Sequence, residues 1–143
     1  MASVHASAVA VGARAVLIRG PSGAGKSQLA FALLHLPQIS FARLVADDRA
    51  LLAAHNGRVI VRPASGLEGL IEVRGLGIRR VPFEPAAVVG LVADLGAEDA
   101  ARFPPDAGRT TSIEGLALPR VAVGRGMSAL DVVVAALFCG EAR

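Results

Sequence analysis

The sequence predicts an α/β fold in which a P-loop core carries a strand-rich mixed sheet with few helices. Three observations lead there. First, Gly20-Pro21-Ser22-Gly23-Ala24-Gly25-Lys26-Ser27 fits the phosphate-loop pattern G-x-x-x-x-G-K-[ST] at every defined position. Second, the motif lies between the apolar run Ala15-Val16-Leu17-Ile18 and a segment whose Leu29, Leu33 and Leu36 recur at helical spacing, the strand–loop–helix setting that the pattern requires. Third, the rest of the chain breaks into short apolar runs punctuated by Gly, Asn and Pro, with only one further helical stretch. Antiparallel hairpins are therefore expected within the nucleotide-binding core.

In chain order, Val4–Val11 and Ala15–Arg19 form an expected hairpin about Gly12-Ala13. Pro37 ends the helix that follows the phosphate loop. One strand ends in Leu44-Val45-Ala46 and another lies around Leu51-Leu52; His55-Asn56-Gly57 is a turn, and Arg58–Val61 a strand. Pro63–Gly69 reads as a loop, Leu70–Val73 as extended, Val88–Ala93 as a strand and 94–109 as a polar surface loop. Ile113–Val123 holds two short strands and a turn. In the last helix, Ser128 and Asp131 suit a capping box, and Leu130, Val133, Val134, Leu137 and Phe138 make one apolar face. With no linker, repeat or low-complexity tract, residues 1–143 are expected to form a single domain.

Composition narrows the function. A chain of 143 residues, 53% hydrophobic and 19% charged, can bury a real core. No apolar run approaches the roughly 18 residues of a membrane span, and no secretory pattern opens the sequence. The single Cys139 leaves no internal disulfide. A cytoplasmic protein without membrane contact is expected. The net charge of +3 and pI of about 10.4 invite a nucleic-acid reading. However, every basic residue but one is Arg, scattered from Arg14 to Arg143 without a block, and there is no Trp or Tyr for bases to stack on. No nucleic-acid partner is expected, and the arginines read as compositional bias. Against that bias, Lys26 is the only lysine in the chain.

The motif explains the exception. Its glycines let backbone N–H groups curl around phosphate oxygens at a helix N-terminus. Lys26 supplies a compact charge for the β and γ phosphates that a planar guanidinium does not replace, and the Ser27 hydroxyl suits Mg²⁺. The sequence thus predicts a protein that binds nucleotide phosphates.

Two further stretches carry chemistry. Val45-Ala46-Asp47-Asp48-Arg49 puts a carboxylate at the end of the strand after the phosphate-loop helix, where it would approach metal or attacking group. Successive strand residues point to opposite faces, so both aspartates reach one phosphate only if the chain turns there. One would then serve as base and the other hold the loop or the metal; a solvated Asp-Asp-Arg turn is the alternative. In Leu70-Ile71-Glu72-Val73-Arg74-Gly75-Leu76-Gly77-Ile78, Glu72 and Arg74 share a face opposite Ile71 and Val73. A carboxylate for metal beside a guanidinium for phosphate suits phosphoryl transfer, as does an ordinary surface ion pair before a turn.

GPSGAGKS, LVADDR and IEVRGLGI, in that order, resemble the catalytic domain of HPr kinase/phosphorylase. That bacterial enzyme phosphorylates a serine of the phosphocarrier protein HPr and can reverse the reaction. The likeness runs from about His5 to the final helix and is strongest in those three segments. It implies a P-loop core of the phosphoenolpyruvate-carboxykinase-like type, ATP and Mg²⁺ as cofactors, and HPr as protein substrate in phosphotransferase-system regulation. Gly20–Ser27 would hold ATP. Asp47 would take the proton of the HPr serine and return it in reverse. Ser27 and Glu72 would serve the metal, joined by Asp48 on the reading of the paired aspartates above, and Arg74, Gly75 and Gly77 fall in the segment important for both reactions. His5 matches an active-site histidine, with an N-terminal surface His as the alternative. Arg102 is the candidate catalytic arginine from the long loop, and Arg109 lies close enough in sequence to fill that role instead.

The departures from the family shape the remaining expectations. A short form without the regulatory N-terminal domain is expected. The segment linked to dephosphorylation shortens to Val121-Ala122-Val123-Gly124-Arg125-Gly126, where Arg125 is a partial match, and the chain stops soon after Phe138. Reverse phosphorolysis, HPr docking and a homo-oligomer therefore stay open. Gln28 replaces the Glu that often follows the serine, a change expected to matter little. Two other functions remain: a nucleotide-binding sensor of the same fold, and a small-molecule kinase, for which 143 residues leave little room for an acceptor lid.

Overall fold

The computed structural model of the protein describes residues 1–142. Its strands are β1 (Ala2–Val4), β2 (Ala6–Val11), β3 (Arg14–Arg19), β4 (Ala42–Ala46), β5 (Ala50–His55), β6 (Arg58–Pro63), β7 (Leu70–Val73), β8 (Gly77–Arg80), β9 (Ala87–Leu95), β10 (Thr110–Ile113) and β11 (Leu116–Val123). Helix α1 covers Lys26–Leu34 and α2 covers Ala129–Phe138. Nine strands make one sheet in the order β1-β5-β6-β9-β3-β2-β4, with β11 beside the end of β9 and β10 beside β11, while β7 and β8 form a separate hairpin. Neighbouring strands β3, β9 and β11 run parallel, and every other strand pairing is antiparallel, whether between consecutive strands or not. The expected α/β class with a strand-rich mixed sheet and few helices is what forms.

Side-chain alternation divides the interior. Ala6, Ala8, Ala10, Ala15 and Leu17 face β5 and β6, where they meet Leu52, Val59 and Val61. Small alanines on this face let the sheet curl back on itself. Val9, Val16 and Ile18 point the other way, toward Leu29 and Leu33 of α1 and Val133 of α2. Pairing along β3 skips one residue between Val89 and Leu91, so Gly90 is the bulged position, and Val89 and Val92 come to serve the same core. A side chain at Gly90 would sit 2.8 Å from Arg14 Cδ. Leu33 is fully buried, so Leu33→Ala is expected to cost about 3 kcal/mol, read as a lower urea midpoint with unchanged slope.

The expected hairpins form, with Asn56 (φ 51°) and Gly57 (φ 75°) turning β5 into β6. Ser128 caps α2 by accepting from the Asp131 N–H at 3.2 Å. Several details differ from the sequence reading. The apolar face of α2 is narrower, since Phe138 is 54% exposed. Helix α1 ends at Leu34: the residue before a proline avoids helical geometry, and His35 turns its ring onto Phe31, Nδ1 donating to the Phe31 carbonyl at 2.9 Å. His5 lies at a bend between β1 and β2, not within one continuous strand. Strand β8, exposed along its length, offered no buried pattern to read. Strand β9 extends through Asp94 and Leu95 into what reads as polar loop.

Candidate active site

The phosphate loop joins β3 to α1. Gly25 takes φ 97° at the helix N-cap, a left-handed geometry that suits glycine. At Gly20 a Cβ would stand 2.8 Å from the Leu95 carbonyl oxygen, so the loop starts hard against the end of β9. No acidic residue occupies the first turn of α1, which leaves its positive end for an anion. Lys26 Nζ donates to the carbonyls of Gly20 (2.8 Å) and Pro21 (3.2 Å), arched back over its own loop.

Strand β4 delivers Asp47 to the same place. Its carboxylate is buried, and Oδ1 accepts from the hydroxyls of Ser27 and Ser7, each at 2.7 Å. Oδ2 accepts the Glu72 N–H at 3.1 Å. Phosphate loop, β2, β4 and β7 therefore meet on one side chain. The chain then turns, as the reading of adjacent aspartates required: Asp48 adopts φ 68°, and its N–H donates to Ser7 Oγ at 3.4 Å. Asp48 is exposed, with His5 Nδ1 3.7 Å from its Oδ1.

These groups line a cleft of about 450 Å³. Ser22, Gly23, Gly25, Lys26 and Ser27 form one wall, Asp47 and Asp48 the floor, and the β7–β8 hairpin the opposite wall. Glu72 and Arg74 face the cleft while Ile71 is buried behind them, as alternation predicts. Leu67, Leu70 and Ile78 make that wall largely apolar. Ser27, Asp47, Asp48 and Glu72 give the cleft a hard-oxygen donor set. Mg²⁺ fits it, since that ion takes one or two carboxylates and completes its shell from phosphate and water. No group of three or more His, Cys, Asp or Glu side chains that could hold a metal ion forms among the described residues, so phosphate and water would have to complete the shell.

Arg102 and Arg109 do not line the cleft. Arg102 lies over the Phe103 ring, 5.4 Å from its centre, while Arg109 pairs with Glu141 at 3.3 Å and Asp106 at 3.9 Å. Two sets of residues escaped the sequence reading. Ser7 ties both aspartates to β2; a serine in the alternation Ala6-Ser7-Ala8 is the one signal it left. Asp94, at the end of β9, accepts two bonds from Arg19 (2.7 and 2.8 Å) and one from Arg120 (2.5 Å). Arg120 also donates to both carboxylate oxygens of Asp99 and to the Gly108 carbonyl. Burial opposes ionisation of Asp94, but hydrogen bonds from Arg19 and Arg120 more than offset it and hold the carboxyl below its usual range. Arg120 is pushed up, first by Asp99 and then by Asp94. The network clamps β3, β9 and β11 together just before the phosphate loop begins.

A family model described as the HPr Serine kinase C-terminal domain matches residues 1–83, which include the loop, both aspartates and Glu72. The chain belongs to that family. Among HPr kinase C-terminal domain relatives, the HPr kinase/phosphorylase of Limosilactobacillus reuteri is 33% identical over 137 residues, covering 85% of this chain and 40% of that protein. The enzyme of the same name from Streptococcus thermophilus is 43% identical over 77 residues, covering 53% of this chain and 24% of that one. This chain thus spans less than half the length of these curated relatives. In three dimensions it is similar to the Hpr(Ser) kinase/phosphatase from Coxiella burnetii, with a TM-score of 0.76 and 26% identity over 96% of this chain and 93% of that one. The solved neighbour matches the mixed curled sheet across almost the whole HPr kinase-like domain. No helix among the described residues is long and apolar enough to cross a membrane.

Proposed function

We propose that this chain is the phosphoryl-transferring domain of an ATP-dependent serine kinase that acts on an HPr-type phosphocarrier protein and so regulates a phosphotransferase system. The observation that carries the reading is Asp47: one buried carboxylate joins the phosphate-loop serine and the strand bearing Glu72 at the floor of the cleft. Mg²⁺, when bound, would draw charge from the β and γ phosphates and hold them for in-line attack.

The residues then divide the work. Backbone N–H groups of Gly20–Ser27 cradle the phosphates, and Lys26 leaves its loop carbonyls to meet the charge that builds on them. Ser27, with Glu72 and Asp48, supplies the oxygens that would hold the metal, while Asp47 orients the Ser27 hydroxyl. Three donors already bond Asp47, two on Oδ1 and one on Oδ2, leaving one lone-pair position on Oδ2 for a further hydroxyl. In the proposal the acceptor serine gives its proton there as its oxygen bonds phosphorus and the bond to the ADP oxygen breaks; in phosphorolysis Asp47 returns it. Arg74 faces the same cleft and suits the transferred charge. A second reading is favoured by how fully Asp47 is occupied: Asp48, exposed beside His5, takes the serine proton, and Asp47 serves only Ser27.

Intact-mass measurement of HPr after incubation with the protein and Mg²⁺-ATP tests both. One added phosphate on a serine is expected. Asp47→Asn is expected to slow its appearance by about 10²–10⁴-fold, with Asp48→Asn much less affected; the reverse ranking transfers the base to Asp48. No added mass, with ATP binding intact, would leave a nucleotide sensor or a different acceptor. Release of ADP with small acceptors alone would instead indicate a metabolite kinase.

A further inference from the structure

On the flank of the phosphate loop away from Asp47 lies a second groove of about 380 Å³. It is walled by Pro21–Ala24, by Leu95 and Gly96 at the end of β9, and by the turn from Val123 to Met127 after β11. Ser22 and Gly23 line both this groove and the acceptor-side cleft, so the two are continuous across the loop. The groove opens where the parallel strands β3, β9 and β11 end, and ligands of α/β sheets collect at the carboxyl ends of such strands. A nucleotide whose terminal phosphate faces Asp47, Asp48 and Glu72 has to leave the loop on the other side. We propose that this groove takes the nucleoside of the phosphate donor and holds it without reading which base it carries.

The lining supports both halves. Pro21, Ala24, Leu95, Val123 and Met127 offer apolar surface along the groove. Met127 is 39% exposed, its sulfur 3.3 Å from the Gly124 N–H, and a thioether makes favourable contact with aromatic rings. The side chains with fixed hydrogen-bonding groups are Ser22 and Arg125, and Ser22 belongs to the phosphate loop. Arg125 is exposed on the turn and forms no ion pair among the described residues, so it suits ribose or α-phosphate oxygens. No carboxylate or amide side chain points into the groove to match the edge of a particular base. Sites that hydrogen-bond a substrate group discriminate by about 10⁴–10⁵, whereas apolar pockets manage about 10–200-fold.

The inference rests on the phosphate-binding reading above, and calorimetric titration separates the two. ATP, GTP and inorganic tripolyphosphate are each titrated with Mg²⁺ into the wild-type protein and into Met127→Ala. ATP and GTP are expected within about 10-fold of each other, both at least about 10-fold tighter than tripolyphosphate. Met127→Ala is expected to loosen both nucleotides by about fivefold and leave tripolyphosphate unchanged. Tripolyphosphate binding as tightly as ATP overturns the groove, and so does a Met127→Ala protein that binds the nucleotides normally. An ATP preference over GTP beyond about 200-fold overturns the unread base. Failure of all three to bind, in a protein that folds, overturns the phosphate-loop reading itself.

Discussion

A Lys26→Met protein is expected to fold as well as the wild type and to transfer phosphate about 10²–10³-fold more slowly. The rate follows from the site. Lys26 carries the only side-chain ammonium in the chain and lines the cleft beside Ser27, Asp47 and Glu72. Its positive charge also stands at the first residue of α1, where the helix dipole disfavours a cation. Removing it gives up two hydrogen bonds to the loop carbonyls and relieves that repulsion, so the urea midpoint is expected to move by less than about 0.5 kcal/mol. Lys26→Arg is expected to recover little, because a planar fork does not settle into a cradle shaped for a compact ammonium. Single-turnover transfer to HPr and urea unfolding of the same preparations check both halves. A Lys26→Met protein with near-normal rate would remove Lys26 from the chemistry.

The second large effect lies in the ion-pair network. Asp94→Asn leaves Arg19 and Arg120 facing a neutral amide. The pair is only part-buried, so its loss falls between the roughly 1 kcal/mol or less of an exposed pair and the about 3–5 kcal/mol of a fully buried one. Arg120 keeps Asp99 and Arg19 is partly exposed, so about 1–2 kcal/mol is expected. The pH dependence has a definite sign. Asp94 is held below the ordinary carboxylate range in the folded state, so its contribution is complete above the unfolded value of about 3.9 and is lost as pH falls through the lower folded value. Wild-type stability should therefore decline below about pH 4 more steeply than that of Asp94→Asn. Parallel pH profiles for the two proteins would remove Asp94 from the clamp. Because Arg19 directly precedes Gly20, the variant should also weaken nucleotide binding.

The relation between sequence and structure is uneven for physical reasons. The phosphate loop was legible because its chemistry needs glycine, lysine and serine at fixed spacing, and the flanking strand and helix carry their own periodicities. The hairpins at Gly12-Ala13 and Asn56-Gly57 were legible because positive φ restricts the residues that can turn there. Strand β8 was not, since a strand exposed on both faces has no alternation to betray it. Nor was the Asp94 clamp. An aspartate flanked by Ala93 and Leu95 near a glycine looks like the start of a loop, and its partners Arg19 and Arg120 are distant in sequence. Charged residues among many scattered arginines reveal their pairing only once the sheet has brought β3, β9 and β11 side by side. The same holds for Ser7, whose role depends on β2 lying against β4.

The arched Lys26 has a practical consequence. In a chain with one lysine, reagents that acylate primary amines find two targets, the amino terminus and an ammonium held against the Gly20 and Pro21 carbonyls. On the proposed function, a ligand that fills the phosphate loop is expected to draw that amine away from its resting partners and cover it. A single mass-spectrometric peak, the acylated peptide bearing residue 26, can therefore act as an occupancy gauge for the loop. Such a readout needs neither a fluorescent analogue nor knowledge of the acceptor.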